Sequence, residues 1–290
     1  MTPFFVLNTA LSAGNGLTPG PLTPVGVRRL RVLIAEDDPT NRMVTTRMLQ
    51  RMGHTVEAAP DGAEAVRLVL AETCDLVLMD MLMPVMDGIA ATRRIRAEPP
   101  PLGAVPIVGL TGNAEAEHER ACLEAGMNGF ITKPVTTRRL TAAITAVLQA
   151  SVPTPPPPEP DTRVPLLDEP FLRQLALDIG PEGAIEAMEM FLEDAPDRLS
   201  AMRRALNTGA NAALRREAHA LAGAARNVGL VRLGEGAYGL QKALEAADEP
   251  DPGEIERLFQ LLADSTARAM DWKLREAATR SADRTAEAEF

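Results

Sequence analysis

Cysteine is close to absent: the chain has two, Cys74 and Cys122, with no metal-ligand spacing between them. That excludes a disulfide framework and a thiolate metal centre. It leaves both as small buried apolar residues of a reducing compartment, one in a strand and one in a helix. Long apolar runs are missing too. No stretch approaches the roughly 20 residues of a membrane-spanning helix. The first residues lack the basic start of a secretion signal, and residues 1–27 read as a poorly ordered leader. Positive charge is in deficit: the net charge is −10, residues 1–150 carrying 14 positive and 15 negative groups and 151–290 carrying 16 and 25. With neither half basic, there is no electrostatic footprint for nucleic acid or an anionic membrane. The expected partners are other proteins, in the cytoplasm.

At 290 residues the chain has room for about two domains, each with its own core. The first is arranged around DLVLMDMLMPVMDG, positions 75–88. Leu76, Val77, Leu78 and Met79 form a continuous apolar run, the mark of a strand buried on both faces, and the run ends on Asp80. In open α/β sheets ligands bind at the carboxyl edge of the strands, so an acid leaving a buried strand there is a candidate site. From Arg31 onward strand and helix alternate. Strands are expected at 32–35, 54–59, 76–79, 107–110 and 129–132, with helices near 39–52, 61–72, 87–96, 115–125 and 136–149. This pattern predicts a parallel sheet covered by helices on both faces.

The strand ends deliver Glu36, Asp37, Asp80, Thr111 and Lys133 to one rim. Three carboxylates so close cannot all stay ionised without a cation. An all-oxygen cluster suits Mg²⁺, which keeps several waters and a phosphate oxygen in its octahedron. A hydroxyl and an ammonium beside it match the remaining oxygens of a phosphoryl group. The constellation reads as a site where Asp80, as nucleophile, accepts a phosphoryl group.

The segments VLIAEDDPTNRMV, DLVLMDMLMPVMDG, PIVGLTGNA and AGMNGFITKPV closely resemble the receiver domain of two-component response regulators, a flavodoxin-like doubly wound (βα)5 fold. The resemblance implies that Asp80 is the phosphoacceptor and that Glu36, Asp37, Asp80 and the Leu82 carbonyl arrange Mg²⁺. It also implies that Thr111 is the switch hydroxyl, Lys133 the phosphate-pairing cation and Phe130 the aromatic switch residue, with a cis Lys133–Pro134 bond. On these grounds 28–150 is assigned to the receiver. Phosphorylation at Asp80 would draw Thr111 inward and re-shape the surface of the fourth and fifth strands.

A connector follows. SVPTPPPPEPDTRVP, positions 151–165, has seven prolines and is expected to be a polyproline II spacer of about 45 Å. Such a tether holds two domains at an effective concentration near the millimolar range. Beyond it no strand pattern appears. Ile185, Met188, Phe191, Leu192, Ala195, Leu199, Met202 and Leu206 form the apolar stripe of one long helix. A shorter helix is expected near 169–178, and others near 210–227, 230–247 and 252–274. The result is a helical bundle over 167–275, with 276–290 as a frayed tail.

On a helical wheel Leu214, Ala218, Leu221, Ala225 and Val228 share one face, and His219 lies roughly 140° from its centre, which points it to solvent. Gly223, one turn on, would leave the imidazole open to a partner surface. The stretch EAHALAGAARNVG resembles the signature of the histidine-containing phosphotransfer (HPt) domain, a four-helix bundle with an exposed phosphorylatable histidine. The resemblance implies that His219 takes and gives a phosphoryl group, with Gly223, Asn227 and Gly229 as the supporting pattern. One departure stands out: the family's lysine three residues after the histidine is Ala222 here. Arg215 and Arg226, on the same face as His219, are candidates to replace it. His54 and His118 read as incidental.

The leading expectation is a phosphorelay protein with an Asp and a His acceptor on one chain, exchanging phosphoryl groups with histidine kinases and response regulators. Two alternatives accompany it: the C-terminal part of a hybrid sensor histidine kinase, and a docking module whose helical domain has lost transfer through Ala222. Nothing in the sequence resembles an ATP-binding kinase domain or its glycine-rich lid, so autophosphorylation from ATP is not expected.

Overall fold

The computed structural model describes residues 29–71, 74–112, 116–148, 165–245 and 252–288. The leader expected at 1–27 and most of the proline-rich tether lie outside them.

Five strands, β1 (Arg31–Ala35), β2 (Thr55–Ala59), β3 (Leu76–Asp80), β4 (Ile107–Thr111) and β5 (Gly129–Thr132), form one sheet in the order β2-β1-β3-β4-β5. Every neighbouring pair is parallel. This is the flavodoxin-like doubly wound order, whose crevice opens at the strand ends where the winding reverses. Side chains alternate across the sheet, as a period of two requires. Val32, Ile34, Leu76 and Leu78 pack with α1 (Pro39–Arg51) and α5 (Thr137–Leu148). Leu33, Ala35, Val77 and Met79 pack on the opposite face with α2 (Gly62–Ala71), α3 (Gly88–Arg96) and α4 (Ala116–Ala125). Cys122 is buried on α4, whereas Cys74 stands in the turn before β3 rather than in a strand. Burial pushes both thiols up to about 11.

The second region consists of α6 (Glu169–Ile179), α7 (Pro181–Asn207), α8 (Asn211–Asn227), α9 (Val231–Glu245) and α10 (Pro252–Ala288). Leu172, Phe191, Leu199, Leu221, Leu240 and Leu258 sit in its core, each such side chain contributing about 1.5–3 kcal/mol by leaving water. Gly234 lets α8 and α9 close tightly: a Cβ there would stand 2.7 Å from Arg226 Cγ and 3.2 Å from the Ala222 carbonyl. The final helix continues past residue 275 to Ala288, over REAATRSADRTAEA, which is rich in alanine, arginine and glutamate, all good helix formers.

The bundle is docked on the sheet domain. Helix α1 packs against α6, α7 and α8, and the buried apolar cluster of the α1/α5 face continues into the bundle core. Polar contacts rim the contact. Arg198 Nη2 donates to Asp38 Oδ2 at 2.8 Å, Arg51 Nη2 donates to the Leu177 carbonyl at 3.3 Å, and Arg47 pairs with Glu186.

Candidate functional site

Local rules place each group at the rim. Asp80 is the last residue of β3 and Thr111 the last of β4, both buried. Glu36 leaves β1 with its amide donating to the Ala59 carbonyl at 3.1 Å. Asp38 caps α1, its Oδ1 accepting from the Asn41 amide at 2.8 Å, and Pro39 opens the first turn. Lys133 leaves β5 with its amide donating to the Thr111 carbonyl at 2.7 Å, and the Lys133–Pro134 peptide is cis. Gly88 begins α3 directly over Asp80: a Cβ on it would stand 2.1 Å from the Asp80 carbonyl oxygen, so the turn admits no side chain there.

The result is a compact charge cluster. Lys133 Nζ lies 2.7 Å from Asp80 Oδ2 and 2.9 Å from Glu36 Oε2. Burial alone would raise the Asp80 carboxyl, but the Lys133 ammonium outweighs it and holds Asp80 well below the usual carboxylate range. Burial would lower Lys133, and the Asp80 and Glu36 carboxylates reverse that, so it stays charged. Glu36 goes the other way, raised by burial and then by Asp80. Asp37 is raised to about 6 by burial and by the Asp80 charge. One lysine thus balances one carboxylate fully and leaves the others short of positive charge.

Oxygens of Glu36, Asp37 and Asp80 lie within 4.8 Å of one another. Asp80 Oδ1 is buried and accepts no hydrogen bond, and Glu36 Oε2 has only the ion pair with Lys133. Three carboxylates converging at one point, with a single lysine between them, fit a hard divalent cation with oxygen ligands. Leu82 lies half-buried in the loop after β3, on the same rim. Phe130 is half-buried on β5.

His219 corrects the sequence expectation. It does point away from the bundle core, yet it is only 7 % exposed, because the receiving sheet domain covers that face of α8. A wheel of one helix cannot register a neighbour that arrives from elsewhere in the chain. His219 Nε2 stands 3.8 Å from Asp80 Oδ1, and neither atom has a hydrogen bond. Gly223 meets the other domain: a Cβ on it would lie 3.3 Å from Asn41 Nδ2 and 3.5 Å from Lys133 Cδ. Gly112, just after Thr111, lies against the ring, where a Cβ would be 3.4 Å from His219 Cε1.

Sequence reasoning missed Gln241. It is buried on α9, with Oε1 3.1 Å from His219 Nδ1 and Nε2 donating to Glu245 Oε1 at 2.8 Å. Since Glu245 can only accept, the amide oxygen faces the ring and Nδ1 carries a proton, so in the neutral imidazole the lone pair is on Nε2. The one signal in the sequence was a glutamine beside the apolar positions Leu233, Ala237 and Leu240. Arg226 stacks over Tyr238 at 4.6 Å and donates to Glu235 Oε1 at 2.9 Å, with a long 3.5 Å contact to the Gly112 carbonyl. Arg215 is half-buried on α8.

Comparison with known proteins agrees with this architecture. Residues 32–145 match the family model of the response regulator receiver domain, and 186–272 match that of the Hpt domain. The sensory/regulatory protein RpfC of Xanthomonas campestris pv. campestris is 34% identical over 219 residues, covering 71% of this chain and 29% of RpfC. Histidine kinase 5 of Arabidopsis thaliana is 35% identical over 135 residues, 38% of this chain and 15% of that protein. The sensor protein GacS of Pseudomonas syringae pv. syringae is 41% identical over 123 residues, 42% of this chain and 14% of GacS. The chain thus spans less than a third of each of these relatives. Among solved structures, the receiver domain of sensor histidine kinase PA1611 from Pseudomonas aeruginosa, with a coordinated magnesium ion, is 38% identical with a TM-score of 0.38, covering 44% of this chain and 100% of that one. Vibrio cholerae CheY4 is 27% identical with a TM-score of 0.39, covering 41% and 99%. The two family matches, in this order along a parallel sheet and a helical bundle, identify the chain as a response regulator receiver domain joined to an Hpt domain.

Proposed function

We propose that this chain is a phosphorelay protein that accepts a phosphoryl group on Asp80 and on His219 and passes it between them in the docked arrangement. Histidine kinases and response regulators are its partners, and the cytoplasm its compartment. One observation carries the reading: His219 Nε2 and Asp80 Oδ1 face each other at 3.8 Å, buried and without hydrogen bonds.

In the Asp-to-His direction the Nε2 lone pair attacks the phosphorus of the Asp80 acyl phosphate. The N–P bond forms as the P–Oδ1 bond breaks, and its electron pair returns to the carboxylate. Lys133 stabilises that leaving carboxylate through Oδ2. The Nδ1 proton stays on the ring against Gln241 Oε1. The reverse transfer follows the same path. Thr111, at the rim, would donate to a phosphoryl oxygen. A magnesium ion held by Glu36, Asp37, Asp80 and the Leu82 carbonyl would neutralise charge on the transferring group. Near-attack geometry needs about 3–3.5 Å between phosphorus and the incoming atom, more than a 3.8 Å gap leaves in line. The domains therefore ease apart at this edge when either residue is loaded.

The test is incubation with acetyl phosphate and Mg²⁺ of the parent, Asp80→Ala and His219→Ala. The parent should carry both base-labile acyl phosphate and base-stable phosphoramidate, His219→Ala only the former, and Asp80→Ala neither. Base-stable label in Asp80→Ala at the parent rate would refute the relay.

Ala222, in place of the family's lysine, favours a second reading, a docking module with impaired transfer. It predicts that the parent loads Asp80 and gains no phosphoramidate. In the relay reading Arg226 or Arg215 takes over the lysine's role. If Arg226→Ala and Arg215→Ala both transfer at the parent rate, that substitution is excluded.

A further inference from the structure

Two asparagines join the domains beside the site. Asn227, the last residue of α8, is 1% exposed, and both of its side-chain hydrogen bonds cross to the receiver. Its Oδ1 accepts from the Val135 amide at 3.1 Å, and its Nδ2 donates to Asn41 Oδ1 at 2.8 Å. Asn41, also 1% exposed, donates in turn through Nδ2 to Glu36 Oε1 at 3.0 Å, an oxygen that Lys133 Nζ also reaches at 3.2 Å.

The orientation of both amides is fixed by their ends. Val135 N–H can only donate, so Asn227 must present its oxygen there and its NH₂ to Asn41. Asn41 must then present its oxygen to Asn227 and its NH₂ to Glu36. Turning either amide over would set donor against donor or acceptor against acceptor between two buried residues, the costliest way to lose a hydrogen bond. The chain therefore couples the end of the His219 helix, the loop carrying Lys133 and the acidic cluster. Its pattern is satisfied only by a receiver whose side chain at position 41 both accepts and donates and whose backbone N–H at position 135 is open to the bundle.

We propose that Asn227 and Asn41 form a specificity lock that selects this receiver for this bundle and sets His219 in register with Asp80. Both act as positioning residues. The proposal rests on the reading that Asp80 and His219 exchange a phosphoryl group in the docked state, and the following experiment separates the two.

The full chain and its Asn227→Ala, Asn41→Ala and double variants are loaded with acetyl phosphate and Mg²⁺, and acyl phosphate and phosphoramidate are followed separately. Asn227→Ala should slow the appearance of phosphoramidate by roughly tenfold while total loading of Asp80, read in a His219→Ala background, is unchanged. The double variant should be slowed by less than the product of the two single effects, because both changes remove the Asn227–Asn41 bond. In parallel, amide hydrogen exchange over α1 reads docking without any phosphate, and Asn227→Ala should raise it. Parent-like transfer and parent-like α1 protection in Asn227→Ala, or effects of the two changes that simply multiply, would overturn the lock. Faster α1 exchange in Asn227→Ala with no phosphoramidate in the parent would uphold the lock and remove the relay.

Discussion

Gln241 Oε1 lies 3.1 Å from His219 Nδ1 across the contact between α8 and α9, and both residues are buried. The glutamine amide is held by Glu245, so the imidazole is held too. What this fixes is which ring nitrogen keeps a lone pair, and hence which one faces Asp80.

Replacing Gln241 by alanine therefore leaves the imidazole free to turn and to carry its proton on the wrong nitrogen. A neutral hydrogen bond of this kind contributes about 0.5–1.5 kcal/mol, so phosphoramidate formation should slow about two- to twelvefold. Acyl phosphate formation at Asp80 should be untouched. Single-turnover kinetics with the two products resolved by base stability would check both halves.

Gly223→Ala should separate folding from transfer. An alanine inside a helix is favoured over glycine by about 1 kcal/mol, so thermal unfolding should shift upward or hold. The added Cβ meets Asn41 Nδ2 at 3.3 Å and Lys133 Cδ at 3.5 Å, so the domains cannot close fully and transfer should fall. Gly223→Val should transfer more slowly still. A variant that is both stabilised and fully active would show that this approach is not needed.

Lys133→Met should expose the imbalance of the acidic cluster. Asp80 and Glu36 would be left buried with no cation between them, a change of the kind that costs about 3–5 kcal/mol. Unfolding in the presence of a chelator should move to lower temperature, and magnesium should raise the melting point of the variant by more than that of the parent. Equal magnesium responses would argue that the ion is not held by these carboxylates.

His54 supplies a pH dependence away from the site. It is 4 % exposed just before β2, its Nδ1 accepts from the Leu30 amide at 3.3 Å, and its Nε2 has no hydrogen-bond partner. Burial depresses its pKa below the ordinary value of 6.5. The unfolded chain therefore takes up this proton first on acidification, and the native state loses stability as pH falls from about 6.5 toward the lower native pKa. Denaturant unfolding between pH 7.5 and 5.5 should show a shallower loss in His54→Gln than in the parent.

Much of the receiver was legible in the sequence because its information is local. The apolar run 76–79 must be a buried strand, and such a strand must end where Asp80 meets the rim. Glu36, Asp37, Thr111 and Lys133 sit at the ends of strands for the same reason, and the helix starts are written in Asp38–Pro39 and Asp87–Gly88. The bundle helices could be read from their apolar stripes, except that the last runs to Ala288.

Chain order alone thus determined the two folds, the acid at the end of β3 and the histidine on the outward face of α8, since periodicity and strand length are properties of neighbouring residues. Only the tertiary structure decided that His219 is covered rather than open, that Gln241 sets its tautomer, and that Asn227 reaches Asn41 across 186 positions. Those relationships depend on which surfaces meet, and a contact between distant segments leaves no period in either of them.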